Sequence, residues 1–375
     1  FISDYVDQVF DSPNIWGGPA MNPPYEAKMK CLTNMHSHAQ NFPYKLLQTS
    51  VSDYTEDLIL RIEGLSWKNT TPLSHIETIN GIPGCKFIDA MNFGSSIGYP
   101  LTGPKRDYVV ELEPDDIYQI KRDFLPIILA EIDRVGGEYA NGCRAYVPAK
   151  ACKKDEVLVY SKRKCRIFFA NGIALVYWLR RLFLPLIRFL QFNPILAETA
   201  VGVNCHGTDW TELMESIEKF GTDQFIAGDY SKYDQRLPAQ LIIASLSILI
   251  DLAKVCNYSD RDITMMRAMV GDISYSVIAF EGDMIELLGG THISGNSLTV
   301  ITNSICGSLN LRCAFYDAFP APVFEKRKKF RDYVSLMTYG DDNIGSVSKE
   351  VSDKFNIVTI AIFLATYGQL YTMPD

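Results

Sequence analysis

Little in these 375 residues marks a secreted, disulfide-built or repetitive protein. The nine cysteines are odd in number, scattered and without a CxxC pair, which argues against a disulfide framework and makes reduced thiols the expectation. Cys31, His36 and His38 lie close together, yet no second ligand pair follows at zinc-site spacing. No Gly/Ser linker, tandem repeat or low-complexity tract is present. The most apolar stretch, Ile173 to Phe192, is interrupted by Arg180, Arg181 and Arg188, so it reads as an amphipathic helix rather than a membrane span. The opening FISDYVDQVF has neither an initiator methionine nor a basic run followed by an apolar core. The expectation is a piece of a longer chain without a signal peptide.

What is present is core material and one concentrated charge. Hydrophobic residues make up 47% and aromatics 12%, enough for two or three domains or subdomains at this length. The net charge of −8 argues at first against a polyanionic partner. Its distribution reverses that inference: Arg144 to Arg188 holds eleven basic residues against Asp155 and Glu156, a local +9 that leaves −17 elsewhere. Phosphate contacts depend on the field at the groove and not on the whole-chain sum. A solvated basic face is an equally good account on composition alone.

Carboxylates recur at turn positions. In "VSLMTYGDDNIGSV", Val334 to Val347, the residues Val334, Leu336 and Met337 predict one strand and Ile344 to Val347 another, with Gly340-Asp341-Asp342-Asn343 as the turn. Adjacent like charges cost energy unless a cation sits on them. In "FIAGDYSKYDQRLPAQ", Phe225 to Gly228 predicts a short strand delivering Asp229, with Asp234 after a polar turn and Pro238 opening a helix. Set beside Asp341, Asp229 would complete an oxygen-rich site for two Mg²⁺ ions about 3.5–4 Å apart. Asp and Gly are ordinary turn residues, so either segment alone is equally compatible with a solvated turn. Between them, Gly289, Gly290, Ser294 and Gly295 predict a loop that lets backbone approach a ligand, and a helix then starts near Asn296 or Ser297. Thr299 and Asn303 fall on one face of it, able with Asp234 to sense a ribose 2′-OH, or simply to satisfy a Ser/Thr-rich buried helix.

In order along the chain, Asp229 and Asp234, then Ser294-Gly295 with Thr299 and Asn303, then Tyr339-Gly340-Asp341-Asp342 resemble the motifs of RNA-dependent RNA polymerases from picornavirus-like positive-strand RNA viruses. "KKDEVLVYSKRKCRIF", Lys153 to Phe168, is similar to that family's fingers motif. The resemblance implies that Lys154, Lys164 and Arg166 line the nucleotide channel, Arg166 holding the triphosphate, with Lys162 and Arg163 toward RNA. "SSIGYPLTGPKRD", Ser95 to Asp107, is similar to the template-path segment, which implies that Ser96, Gly98 and Tyr99 follow the template. "AVGVNCHGTDW", Ala200 to Trp210, resembles the stretch before the first aspartate motif. The wording of "DYSKYDQRLPAQ" leans toward marine algal and insect-virus branches. "IAIFLATYGQLYTMPD", Ile360 to Asp375, looks like the segment that ends in a proton-donating lysine just after Pro-Asp, so a C-terminally truncated fragment of doubtful activity is expected, without the thumb.

The implied fold is an α+β right hand whose palm is an antiparallel sheet with helices on one face. Fingers would occupy 1–193, palm 194–240, returning fingers 241–289 and palm 290–375. The implied activity is nucleotidyl transfer from an NTP to an RNA 3′-OH by Asp229, Asp341 and Asp342 as metal ligands, with Mn²⁺ a substitute for Mg²⁺. RNA template and primer, NTPs and other viral replication proteins are the implied partners, at replication complexes in the host cytoplasm. Two rivals stand beside it. A reverse transcriptase shares the hairpin, but such enzymes resemble one another in carrying a bulky aromatic at the place of Asp234. A non-catalytic RNA-binding module would use the basic segment without needing three separated aspartates. "EKRKKFRD", Glu325 to Asp332, reads as an exposed connection.

Overall fold

The computed structural model describes residues 9, 16–17, 25–36, 39–64, 66–153, 158–159, 167–293, 295, 297–320 and 329–372. Cys31 is undescribed as a side chain and His38 lies outside the described residues, while His36 Nδ1 rests 2.9 Å from the Leu32 carbonyl one turn back.

Alternating apolar residues build the sheet that carries the acidic motifs. Its order is Val334–Tyr339, Asp342–Val347, Phe225–Tyr230 and Tyr371–Thr372, antiparallel throughout. Val334 and Leu336 face the main core, where the helices Thr299–Ala318 and Ile357–Thr366 pack. Met337 points the other way, as the two-residue period of a strand requires, and meets Leu213 and Ile217 of the helix Thr208–Ile217. Helices therefore cover both faces and not one: a second apolar stripe on the hairpin needed its own cover.

The second sheet runs Ile167–Asn171, Ala149–Lys153, Val277–Phe280 and Asp283–Glu286. Ala149–Lys153 and Val277–Phe280 are parallel, with Ala149 opposite Ile278. The chain thus leaves the first sheet after Asp234, passes through the helices Ala239–Lys254 and Asp260–Ser274, and adds a hairpin to strands from its own first half.

Ile173–Phe192 is the predicted helix, with Leu179, Leu182, Phe183, Leu186 and Phe189 fully buried. Two of its arginines are held by backbone carbonyls about a hundred residues back along the chain: Arg180 Nε donates to the Thr78 carbonyl at 2.9 Å and Arg188 Nε to that of Lys86 at 3.0 Å. Arg144 likewise pairs with Asp272 and Glu286 at 3.2 and 2.9 Å. The flanks of the basic segment are structural. Among the described residues no helix is long and apolar enough to cross a membrane.

A buried ionic cluster joins the helix Tyr44–Glu63 to Thr299–Ala318. Arg312, fully buried, pairs with Asp53 at 2.9 Å and Glu198 at 2.6 Å. The end of the run read as an exposed connection joins it: Arg331 pairs with Asp57 at 3.0 Å and Glu198 at 2.8 Å, and Lys329 with Asp57 at 2.9 Å. Those cations are anchors, because the buried Glu198 and the half-buried Asp57, far back along the chain, claim them.

Candidate active site

The hairpin crest is tighter than its sequence suggests. Tyr339 pairs with Asp342 and Thr338 with Asn343, which leaves Gly340 and Asp341 alone in the turn. Gly340 takes φ +65°, suited to the first position of a two-residue hairpin turn. Its N–H donates to Ser304 Oγ at 2.9 Å, which ties the crest to the helix Thr299–Ala318.

The strand beside it continues through Tyr230, past the Gly228 end predicted for it, because Tyr371–Thr372 pairs with Tyr230 and Asp229. Asn343 lies opposite Gly228, so one step further on the same ladder brings Asp342 toward Asp229. Beneath the carboxylates a lock fixes this register: the Tyr371 hydroxyl donates to Asn343 Oδ1 at 2.6 Å, and Asn343 Nδ2 to the Gly228 carbonyl at 3.1 Å. A Cβ at residue 228 would stand 2.1 Å from the Tyr371 ring, so only glycine admits that ring.

The acids act on one another. Asp341 is held above the ordinary carboxylate range, first by partial desolvation and then by Asp234, Asp342 and Asp229, against a lowering backbone hydrogen bond. Among the described residues no three of His, Cys, Asp and Glu form a ready-made cation cage. The carboxylates share one field without converging on one point. Hard oxygen donors whose repulsion a divalent cation would relieve suit such an ion in kind.

Asp234 sits in the helical turn Tyr233–Arg236, entered through Lys232 at φ +58°. Asn303 Nδ2 donates to Asp234 Oδ1 at 2.6 Å, and the Tyr233 hydroxyl to the Asn303 carbonyl at 3.1 Å. Two of the expected sugar-sensing residues therefore touch. Thr299 opens the same helix one turn earlier. Gly295, at φ +110°, approaches so closely that a Cβ would lie 2.1 Å from the Phe169 carbonyl oxygen. Ser294, Lys154, Lys162, Arg163, Lys164 and Arg166 lie outside the described residues.

Ser96, Gly98 and Tyr99 form a loop against the second sheet. The Gly98 N–H donates to Ser96 Oγ at 3.2 Å, and at φ +90° its α-carbon faces the Asn171 backbone, where a Cβ would be 2.3 Å from oxygen. Tyr99 is partly exposed. A cavity of about 230 Å³ is lined by Ser96, Lys105, Asn171, Arg180, Gly295 and Ser297, so the loop holding Ser96 and the loop holding Gly295 share one recess. Lys105 Nζ donates to Ser95 Oγ and the Ser96 carbonyl at 2.6 and 2.7 Å. Burial, then the Arg180 charge, lowers its ammonium pKa. Neither Lys105 nor His292, which touches Asn303, stood out in the sequence; a lysine ten residues from its partner and a lone histidine carry no spacing signal.

Comparison with known proteins gives this geometry a family. The family model described as viral RNA-dependent RNA polymerase matches residues 25–373. The chain is 26% identical over 311 residues to the genome polyprotein of Deformed wing virus, which covers 79% of the chain and 10% of that polyprotein. It is 26% identical over 316 residues to the replicase polyprotein of Drosophila C virus, covering 80% of the chain and 18% of the relative. The match to the replicase polyprotein of Cricket paralysis virus is 32% over 217 residues, 56% of the chain and 12% of the relative. The chain thus spans less than a fifth of the length of these relatives. Among solved structures, the Sicinivirus 3Dpol RNA dependent RNA polymerase superposes with a TM-score of 0.73 at 20% identity, covering 97% of this chain and 71% of that one, a likeness in right-hand fold. With sheet, hairpin and acidic ladder all inside the matched span, the chain belongs to the viral RNA-dependent RNA polymerase family.

Proposed function

We propose that the chain carries the catalytic part of an RNA-dependent RNA polymerase that replicates a viral RNA genome, transferring a nucleoside monophosphate from an NTP to an RNA 3′-OH and releasing pyrophosphate. The observation that carries this reading is the strand register that sets Asp342 toward Asp229 at a hairpin crest whose turn holds Asp341. Asp229 and Asp341 would ligate both of two Mg²⁺ ions, with Asp342 secondary and Mn²⁺ a substitute. When bound, such ions lower the pKa of the 3′-hydroxyl and offset charge on the triphosphate.

The chain's own residues do the rest. Asp234, held by Asn303, accepts from the ribose 2′-hydroxyl, with Thr299 and the Ser294-Gly295 loop beside it. Lys154, Lys164 and Arg166 neutralise the incoming triphosphate. Ser96, Gly98 and Tyr99, with Lys162 and Arg163, guide the template. Residues 1–193 and 241–289 form the fingers, and 194–240 and 290–375 the palm. RNA template, primer and NTPs are the partners, alongside other viral replication proteins at replication complexes in the host cytoplasm.

Primer extension on an RNA template, with the chain in its full reading frame, tests this reading. Metal-dependent incorporation of ribonucleotides is expected, abolished by Asp341→Ala or Asp229→Ala with circular dichroism unchanged. A mutant retaining even a tenth of the wild-type rate refutes the assignment.

A further inference from the structure

His292 lies in the loop before the helix Thr299–Ala318, and that loop is zipped to the segment carrying Asp234. Pro238 and Gly290 form an antiparallel bridge; Thr291 N–H donates to the Leu237 carbonyl at 2.9 Å and His292 N–H to the Asp234 carbonyl at 2.8 Å. Thr291 holds φ +87°, an unusual backbone for a β-branched residue. Its hydroxyl is within 3.2 Å of the Met35 carbonyl and 3.0 Å of that of Gln235. The loop is thereby pinned on both sides.

The pinning sets the imidazole, 1% exposed, against the Asp234–Asn303 pair. His292 Nδ1 is 2.8 Å from Asn303 Oδ1, while Asn303 Nδ2 donates to Asp234 Oδ1 at 2.6 Å. An amide has one donating end and one accepting end, and an ionised carboxylate only accepts. The Asn303 NH₂ must therefore meet Asp234, its oxygen must meet the ring, and the ring must donate from Nδ1. Nε2 is buried with no hydrogen-bond partner among the described residues. A neutral ring with its proton on Nδ1 leaves a bare acceptor there, and orphaned acceptors are tolerated better than orphaned donors. Burial favours that neutral ring, against the opposing pull of Asp234 and Asn303.

We propose that His292 is a positioning residue for sugar selection: by donating from Nδ1 it holds the far end of the Asn303 amide, so that the near end presents the Asp234 carboxylate in one fixed orientation to a ribose 2′-hydroxyl. An amide held at one end pivots; held at both it does not. The inference rests on the polymerase reading above.

The test is single-nucleotide primer extension by wild type, His292→Leu and His292→Gln, each in its full reading frame, with matched rNTP and dNTP. In His292→Leu the ratio of kcat/KM for rNTP over dNTP is expected to fall roughly tenfold, the scale of one lost hydrogen bond to a polar network. Glutamine, which can still donate to Asn303 Oδ1, is expected to keep most of the ratio. A merely structural role would lower both rates together and leave the ratio unmoved; that result overturns the proposal and leaves the polymerase reading standing. A wild type that extends no primer with ribonucleotides overturns both. Should the leucine variant not fold, ¹⁵N-histidine NMR of the wild type decides: a ring carrying a proton on Nδ1 supports the proposal, and a neutral ring with its proton on Nε2 overturns it.

Discussion

At Glu198 a single side chain answers to four groups. Its carboxylate, 2% exposed, receives Arg312 Nη1 and Nη2 at 2.6 and 2.7 Å, Arg331 Nε at 2.8 Å and the Ser308 hydroxyl. Its carbonyl accepts from both the N–H and the hydroxyl of Thr338, at 2.9 and 2.6 Å, one residue before Tyr339 of the acidic hairpin. The backbone is left-handed, φ +52°, a conformation that persists in a non-glycine residue only where its surroundings over-determine it. Burial would lift this acid, but Arg312 and Arg331 outweigh it and hold the carboxyl down to about 2. Because that lies below the ordinary 4.5, the stabilisation is complete above pH 4.5 and drains away as pH falls toward 2. Glu198→Gln leaves two guanidiniums facing an amide, and is expected to cost about 3–5 kcal/mol and to flatten the acid limb. Urea unfolding at pH 7 and pH 3 checks this: equal stability at pH 7 would sink the assignment.

Among elements, the acidic hairpin and its neighbouring strand depend on a small residue where Gly228 meets the Tyr371 ring. Gly228→Ala must displace the Tyr371 ring, and a loss of about 1–3 kcal/mol is expected, whereas Tyr371→Phe removes only the bond to Asn343 and is expected to cost about 1 kcal/mol. Thermal unfolding of both variants tests the order; a phenylalanine variant weaker than the alanine variant would reverse the account. The same elements show what local pattern can disclose. The apolar runs 334–337 and 344–347 are legible as strands because alternation is local. The turn is overdrawn because Asp342 and Asn343 look like turn residues, whereas the hairpin ladder pairs them with Tyr339 and Thr338, and the third strand adds Gly228 opposite Asn343. The helix holding Thr299 and Asn303 is legible by spacing. His292 is not, since what gives it meaning is a backbone bridge to Pro238 more than fifty residues away.

Across the whole molecule, ion pairs tie together parts of the chain that are far apart in sequence. Arg312 and Asp53 are 259 residues apart, and Arg331 and Asp57 are 274. The right-hand fold is legible only through ordered motifs and not through these ties, because no spacing rule links an arginine to an acid at that remove. Equally, a basic run followed by Phe330 looks solvated until Asp57 and Glu198 are brought to it. A chain ended at residue 290 keeps Asp53, Asp57 and Glu198 but has lost both arginines and the buried helix Thr299–Ala318. It is expected to bind the dye ANS and to melt without a cooperative transition; a sharp calorimetric peak would contradict this. There is a consequence for biosynthesis. Asp57 leaves the ribosome 274 residues ahead of Arg331, and at about 5–20 residues per second that is a wait of roughly 14–55 s. Each nascent molecule therefore spends that interval with its first long helix unclasped, a window in which chaperones, proteases and neighbouring copies on the same polysome compete for it.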